Sequence, residues 1–334
     1  MDALIDSFGR QITYLRLSVT DRCDLRCTYC MAEKMKFLPR SEVLSLEELE
    51  ALAANFIARG IRKIRITGGE PLVRRDIIHL IKDLSKYRDS GALDEITVTT
   101  NATQLHKYAA ELKSYGVERI NVSLDSLDRE RFKALTRRDA LDKVLRGLDA
   151  AQQAGLKIKL NTVALKGAPK EGNEYEIPDI MAWAHGRGMD MTLIEVMPLG
   201  EIAQDRLSQF LPLTAVREDL ERRYTLIDND KMTGGPARYV TVKETGGTLG
   251  FISPLTNNFC AGCNRVRVTC TGQIYMCLGR DDRLDLRAAL RGDNPQADLD
   301  ALLATAMRQK AQRHDFDNAA SAPATARHMS VTGG

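Results

Sequence analysis

Seven cysteines fall into two groups: Cys23, Cys27 and Cys30, then Cys260, Cys263, Cys270 and Cys277, with none between. In a reducing compartment, clustered thiols suggest metal ligation or catalysis rather than disulfides. The first group has the spacing C-x3-C-x2-C. Three thiolates cannot close a four-iron cluster, so one iron stays open, and open coordination positions make metal sites reactive. A three-cysteine zinc site would need a fourth ligand, and the first histidine in the chain is His79. The second group reads C-x2-C-x6-C-x6-C when Cys270 is counted. That spacing admits a closed four-cysteine zinc site or a fully ligated cluster.

Thiols so far apart in sequence must be brought together by the elements between them. Strand-like runs are expected at Thr13–Val19, Ile61–Thr67, Glu95–Thr100, Arg119–Leu124, Lys157–Val163 and Met191–Val196. Helices are expected at Ser45–Arg59, Asp76–Tyr87, Gln104–Tyr115, Ala140–Ala154 and Ile177–Gly186. Ser45 with Glu48 reads as a capping box, and Gly60, Gly116 and Gly155 mark helix ends. Repeated βα units argue for a parallel sheet.

Period-2 counting gives these strands one polar face. It carries Arg16 and Ser18, Arg65 and Thr67, Thr97, Thr99 and Asn101, Asn121, Ser123 and Asp125, Lys159 and Asn161, then Glu195 and Met197. The opposite face is aliphatic. A doubly covered sheet is apolar on both faces, whereas a sheet curled into a barrel turns one face toward an enclosed space. A solvent-facing sheet is the other reading, and it is rare for parallel strands. Six units predict an incomplete barrel with one open side.

Near Leu211 the pattern changes. A helix at Leu213–Arg223, β-runs at Arg238–Lys243, Thr248–Ile252, Val266–Thr269 and Gln273–Met276, and two more helices are expected. Asp228–Pro236 reads as a surface loop, and Ala319–Gly334 lacks periodicity, as disordered tails do. The fold expected is α/β: an incomplete (β/α)6 TIM-type barrel over 1–211, and a smaller α+β domain over 212–318 closing the open side. A tail over 319–334 ends in Gly333-Gly334.

Of the 334 residues, 43% are hydrophobic and 28% charged, with a net charge of +3. That balance is too slight to imply a nucleic-acid partner, yet it leaves room for a basic pocket. No apolar run reaches membrane-spanning length, and the N-terminus lacks a secretory pattern, so a cytoplasmic protein is expected.

Several motifs carry a resemblance. C-x3-C-x2-C with Tyr29 before its last cysteine, followed by Thr67-Gly68-Gly69-Glu70-Pro71 at the end of the second strand, resembles the radical S-adenosylmethionine superfamily. The resemblance implies that Cys23, Cys27 and Cys30 hold a 4Fe-4S cluster whose open iron chelates S-adenosylmethionine. Tyr29, Gly69, Ser123 and Met197 fall at cofactor-contacting positions. The stretches LRLSVTDRCDLRCTYC, IRKIRITGGEPLVRRD, INVSLDSLD and FCAGCNRVRVT, with the Gly-Gly end, are similar to the GTP 3′,8-cyclase family over nearly the whole chain.

That resemblance implies a second 4Fe-4S cluster on Cys260, Cys263 and Cys277, with Cys270 a non-ligand and the free iron binding guanine. It matches Arg16, Arg65, Thr99, Lys159, Arg265 and Arg267 to GTP-contacting residues. It implies hydrogen abstraction at the ribose 3′ carbon and ring closure onto guanine C8, the first step of molybdenum cofactor biosynthesis. Gly333 and Gly334 would reach into the active site. A reductant of flavodoxin or ferredoxin type would supply electrons, and cyclic pyranopterin monophosphate synthase would take the product. A monomer or homodimer is expected, with neither nucleic acid nor membrane as partner. Ala32 stands where the family often has Pro, and Ala102 where it has Gly. Neither removes a ligand. The alternatives are another radical enzyme with an auxiliary cluster, such as a peptide maturase, and a zinc-stabilised binding module.

Overall fold

The fold was derived from a computed structural model that describes residues 2–168, 171–200, 206–257, 259–314, 316 and 324–333. Six parallel strands run in chain order across the middle of one sheet: β1 (Tyr14–Ser18), β2 (Lys63–Thr67), β3 (Glu95–Thr100), β4 (Arg119–Ser123), β5 (Lys157–Ala164) and β6 (Asp190–Glu195). The second half of the chain extends both ends of that sheet. Beyond β6 lie β9 (Thr248–Ile252), β8 (Arg238–Val242) and β7 (Leu226–Asn229). Beyond β1 lie β10 (Arg265–Val268), β11 (Gln273–Tyr275) and β12 (Arg283–Asp285). β9 runs parallel to β6 and β10 parallel to β1, while the outermost strands return antiparallel. The chain thus forms the expected partial barrel with its flanks supplied by the C-terminal region.

The aliphatic faces explain why the sheet curls. Leu15, Leu17, Ile64, Ile66, Ile96, Val98, Ile120, Val122 and Leu160 are buried in one continuous core under the helices. Each such side chain contributes roughly 1.5–3 kcal/mol by leaving water. The expected helix at Ile177–Gly186 is present, and Ser45 caps Leu46–Ile57 through the reciprocal bonds with Glu48. Gly60, Gly116 and Gly155 all take positive φ just past their helices. A helix at Arg129–Thr136, capped by Asp128, was not anticipated.

Two expectations are corrected. Asp228 and Asn229 belong to strand β7, and while residues 230–232 are exposed, Thr233, Gly235 and Pro236 line the barrel cavity, where the Lys63 ammonium donates to the Thr233 carbonyl at 2.9 Å and the Thr233 hydroxyl meets that of Tyr239 at 2.8 Å. Residues 324–333 are docked rather than loose. Thr325 bridges Leu199 just after β6, and the Arg327 guanidinium lies 3.9 Å over the Tyr275 ring while bonding the carbonyls of Leu278 and Arg280. This segment spans the open side of the barrel. Gly334 lies outside the described residues.

Candidate functional site

The first three thiols sit on the loop after β1. Met31 and Cys30 amides fold back on the Cys27 carbonyl, and Arg26 and Thr28 amides bond the carbonyls of Thr136 and Leu135. Asp24 collects donors from Asn101, Thr103 and Gln104, which ties the loop to the end of β3. The Tyr29 hydroxyl donates to Asp125 at 2.6 Å. Burial pushes the Asp125 carboxyl up to about 6 and, with Asp125 beside it, raises the Tyr29 phenol.

Gly68 and Gly69 are required by contact. A Cβ on Gly69 would fall 2.3 Å from the Arg22 carbonyl oxygen, and one on Gly68 would fall 2.4 Å from that of Thr20. The two segments instead join through backbone bonds, Gly69 to Thr20 and Glu70 to Arg22. The fully buried Glu70 accepts from Leu72, Thr100 and Asn101, so it fastens β2 to β3. Gly69→Ala is therefore expected to displace the loop, lowering bound iron from about eight to about four per chain while the second site stays loaded. Iron analysis after anaerobic reconstitution reads this directly.

Cys260 opens a short 3-10 turn before β10 and Cys263 closes it, and Cys277 follows β11. Arg10 braces the turn from the N-terminal segment, donating to the Cys260 carbonyl at 2.7 Å. Cys270, just past β10, is fully buried, with its carbonyl bonded by the Leu44 amide. It does not reach the other thiols' cavity, so the four-cysteine zinc reading loses its fourth ligand. Burial pushes the Cys30 thiol up to about 12 and also raises Cys23, Cys27 and Cys277. At Cys263 burial also acts upward, but Lys310, Arg265 and Arg10 outweigh it and hold the thiol below its ordinary value.

Both thiol groups open onto one cavity of about 280 Å³ inside the barrel, which Arg16, Arg65, Lys159, Arg265 and Arg267 also line. Among the described residues none of these five cations has an ion-pair partner (the salt bridges all lie elsewhere). Arg16 Nε and Nη2, Arg65 Nε, Arg265 Nε, Thr99 Oγ1 and Asn121 Oδ1 are buried without a hydrogen-bond partner. Burial, with the neighbouring cations, lowers the Arg16 guanidinium well below its ordinary value and that of Arg267 to about 10. Buried cations without counter-charge are costly, so such a chamber suits a polyanion.

Two family descriptions match the chain: "Radical SAM superfamily" over residues 17–175 and "Molybdenum Cofactor Synthesis C" over residues 189–316. Curated relatives named GTP 3′,8-cyclase include that of Erythrobacter litoralis, 64% identical over 99% of this chain and 98% of that protein. Those of Agrobacterium fabrum and Mesorhizobium japonicum are each 59% identical, over 99% of this chain and 94% and 99% of those proteins. The chain belongs to the GTP 3′,8-cyclase family. Among solved structures, Streptococcus suis SuiB aligns with a TM-score of 0.61 at 15% identity, covering 90% of this chain and 67% of that one. SuiB bound to S-adenosylmethionine aligns at 0.60, covering 97% and 78%. That likeness shows the fold alone.

GTP 3′,8-cyclases use 4Fe-4S clusters and S-adenosylmethionine, and the thiols here fit such clusters. Thiols held protonated by burial ionise when iron binds, releasing protons. Among the described residues no three His, Cys, Asp or Glu side chains converge as a single ion would need.

Of the residues expected in a cyclase site, Tyr29, Gly69, Ser123, Met197, Thr99 and the five cations line the cavity with all six cysteines. Gly333 abuts two of its lining residues: its carbonyl accepts from Arg267 at 2.7 Å, and a Cβ there would fall 2.3 Å from Thr67. Glu195 borders the cavity, as expected. Register sets Thr192 beside Asn161 and Ile194 beside Val163, so Ile194 also turns inward, against the expected alternation. The Glu195 carboxylate accepts from Leu213, Leu255 and Thr256, joining β6 to the C-terminal region. Sequence reading missed Tyr14, Tyr239 and Lys63 near the basic end; Tyr14 was legible, since it shares the parity of Arg16.

Proposed function

We propose that this chain cyclises GTP to (8S)-3′,8-cyclo-7,8-dihydroguanosine 5′-triphosphate, the opening step of molybdenum cofactor synthesis. The observation that carries the reading is one chamber holding two three-thiol groups and five cations that, among the described residues, have no ion-pair partner. Cys23, Cys27 and Cys30 would hold the cluster that binds S-adenosylmethionine, with Tyr29, Gly69, Ser123 and Met197 around the latter. Cys260, Cys263 and Cys277 would hold the auxiliary cluster. Together these groups supply, when bound, a primary carbon radical able to abstract hydrogen from C–H bonds.

The chain's own residues do the rest. Arg16, Arg65, Lys159, Arg265 and Arg267 would bind the triphosphate and sugar, with forked guanidinium donors suited to phosphate oxygens. Thr99 would orient the substrate. The Gly333-Gly334 end would close over it, since backbone without side chains fits the space beside Thr67. The docked segment 324–333 excludes water from the open side, which protects a radical from side reactions. On this reading 1–211 is the barrel, 212–318 the auxiliary-cluster domain and 319–334 the active-site tail. The reading extends to a cytoplasmic monomer or homodimer, reduced by a flavodoxin or ferredoxin, whose product passes to cyclic pyranopterin monophosphate synthase. Among the described residues no helix is long and apolar enough to cross a membrane.

The test is anaerobic incubation with GTP, S-adenosylmethionine and dithionite. GTP loses one hydrogen atom at C3′ and gains an electron and a proton at its imidazole ring. The product therefore has the formula of GTP and is separated by chromatography, with one 5′-deoxyadenosine formed per turnover. About eight irons per chain are expected, with zinc absent. Cleavage of S-adenosylmethionine without any cyclised nucleotide would favour a peptide-modifying relative.

A further inference from the structure

Lys310 follows the last long helix (Pro295–Gln309) and is only 2% exposed. Its ammonium donates to the Met276 carbonyl at 2.6 Å and the Arg265 carbonyl at 3.1 Å, and lies 3.6 Å from Cys263 Sγ. No carboxylate pairs with it among the described residues. Arg10, the other cation bracing this loop, is matched by Asp6 at 2.6 Å. Lys310 is therefore a buried cation whose partners are two neutral carbonyls and one thiol. Such a charge is costly unless something negative sits against it.

The two thiol groups differ sharply in this respect. Asp24, Glu70 and Asp125 raise thiols of the first group, Arg26 reaches the Cys23 carbonyl rather than a sulfur, and the contact to Cys23 Sγ comes from the neutral amide of Asn101 at 3.7 Å. Lys310, Arg265 and Arg10 instead lower the Cys263 thiol. Hydrogen bonds to cluster sulfurs and nearby positive charge both favour the reduced state, because the added electron makes a thiolate-ligated cluster more negative.

We propose that Lys310 is a positioning residue for the auxiliary cluster, serving as counter-ion to the thiolate-ligated centre and raising its reduction potential above that of the first cluster. This rests on the cluster assignment above. Three thiolates outweigh the charge of an oxidised cubane core, so the loaded site supplies the negative charge that Lys310 lacks in the metal-free chain. The N–H···S contact at Cys263 then strengthens with each electron taken up. An electron delivered to the protein settles on the auxiliary side, next to where the substrate's guanine would bind.

The test is an EPR-monitored redox titration of the reconstituted enzyme, in which the signal that changes on adding S-adenosylmethionine marks the first cluster. Lys310→Gln keeps a donor but removes the charge, and Lys310→Arg keeps the charge. The Gln variant is expected to shift the auxiliary cluster's reduction equilibrium at least tenfold toward the oxidised form, which is about 59 mV for one electron. The first cluster should not move, and Lys310→Arg should recover most of the shift. An unmoved midpoint in a fully loaded Gln variant overturns the proposal, as does an equal shift in both clusters. If the Gln variant fails to load only the auxiliary site, the metal-free chains decide. A melting temperature no lower than the parent's supports the counter-ion role, whereas a clear fall marks a structural tie and overturns it. Absence of a second cluster in the parent would sink both this proposal and the cyclase reading; a present cluster with an unmoved midpoint sinks this one alone.

Discussion

Cys27→Ser is expected to abolish cleavage of S-adenosylmethionine, whereas Cys263→Ser should keep cleavage within roughly tenfold and lose cyclisation. The contrast follows from where the two thiols sit. Cys27 is folded into the loop between Cys23 and Cys30, its carbonyl bonded by two amides, and Tyr29 and Asp125 lie against it. A serine hydroxyl there is far harder to ionise than a thiol, so the cluster loses a ligand and its chemistry stops. Loss of an outer partner costs a metal site about 10–100-fold, and loss of a ligand should exceed that. Cys263 belongs to the other thiol group of the chamber and, among the described residues, shares no hydrogen bond with that loop. Its replacement should uncouple the two events: 5′-deoxyadenosine still forms, but GTP held without its second anchor is not closed into a ring. Chromatography of both products from one reaction measures the split. If both variants cyclise GTP normally, the assignment of the thiols is wrong.

Much of this site was legible because its signals are local. Cysteine spacing, the paired glycines and the alternation along β1 to β5 are each set within a few residues. The failures came where distant partners decide. Alternation from Glu195 and Met197 set Ile194 on the aliphatic face, yet Ile194 lines the chamber. The true register comes from β5, and the carboxylate's partners from residues 213–256. Asp228–Pro236 has the composition of a surface turn, yet Thr233 is held at the barrel cavity by Lys63 and Tyr239. The C-terminal segment has no periodicity because its order comes from Arg267, Tyr275 and Leu199 rather than from itself. Lys310 shows the same limit, since a lysine after a helix ordinarily reads as solvated. The helix at Arg129–Thr136 could have been found: Asp128 is an N-cap, and its carboxylate accepts from the Arg131 amide.

On the proposed reading, GTP affinity is expected to depend on pH through Lys159 at the basic end of the chamber. This side chain is 4% exposed on β5, with its ammonium bonded to the Tyr239 hydroxyl and 4.6 Å from that ring. Burial lowers its pKa to about 7, helped by Arg119, Arg65 and Lys231 and opposed by Asp190. In the free chain Lys159 is therefore largely neutral above pH 7. A bound triphosphate favours the ammonium and raises that pKa, so binding takes up a proton. The contribution is complete below pH 7 and is lost as pH rises toward the pKa of the bound state. Affinity should fall by up to about tenfold per pH unit across that window. Phosphate's own last proton leaves near pH ~6, so titration from about pH 7.5 to 8.5, still below the ionisation of guanine N1, holds the nucleotide's charge fixed. Lys159→Arg, whose charge persists, should bind with a flat profile. Lys159→Met should also be flat, but weaker by about 10–100-fold at pH 7.5, the worth of one charge-assisted bond. Calorimetry in buffers of different ionisation enthalpy counts the proton directly. An equal slope in the parent and Lys159→Arg would mean that another group carries the dependence. Tyr239 is the neighbour to examine then, because its hydroxyl also meets Thr233 and its phenol is raised by burial.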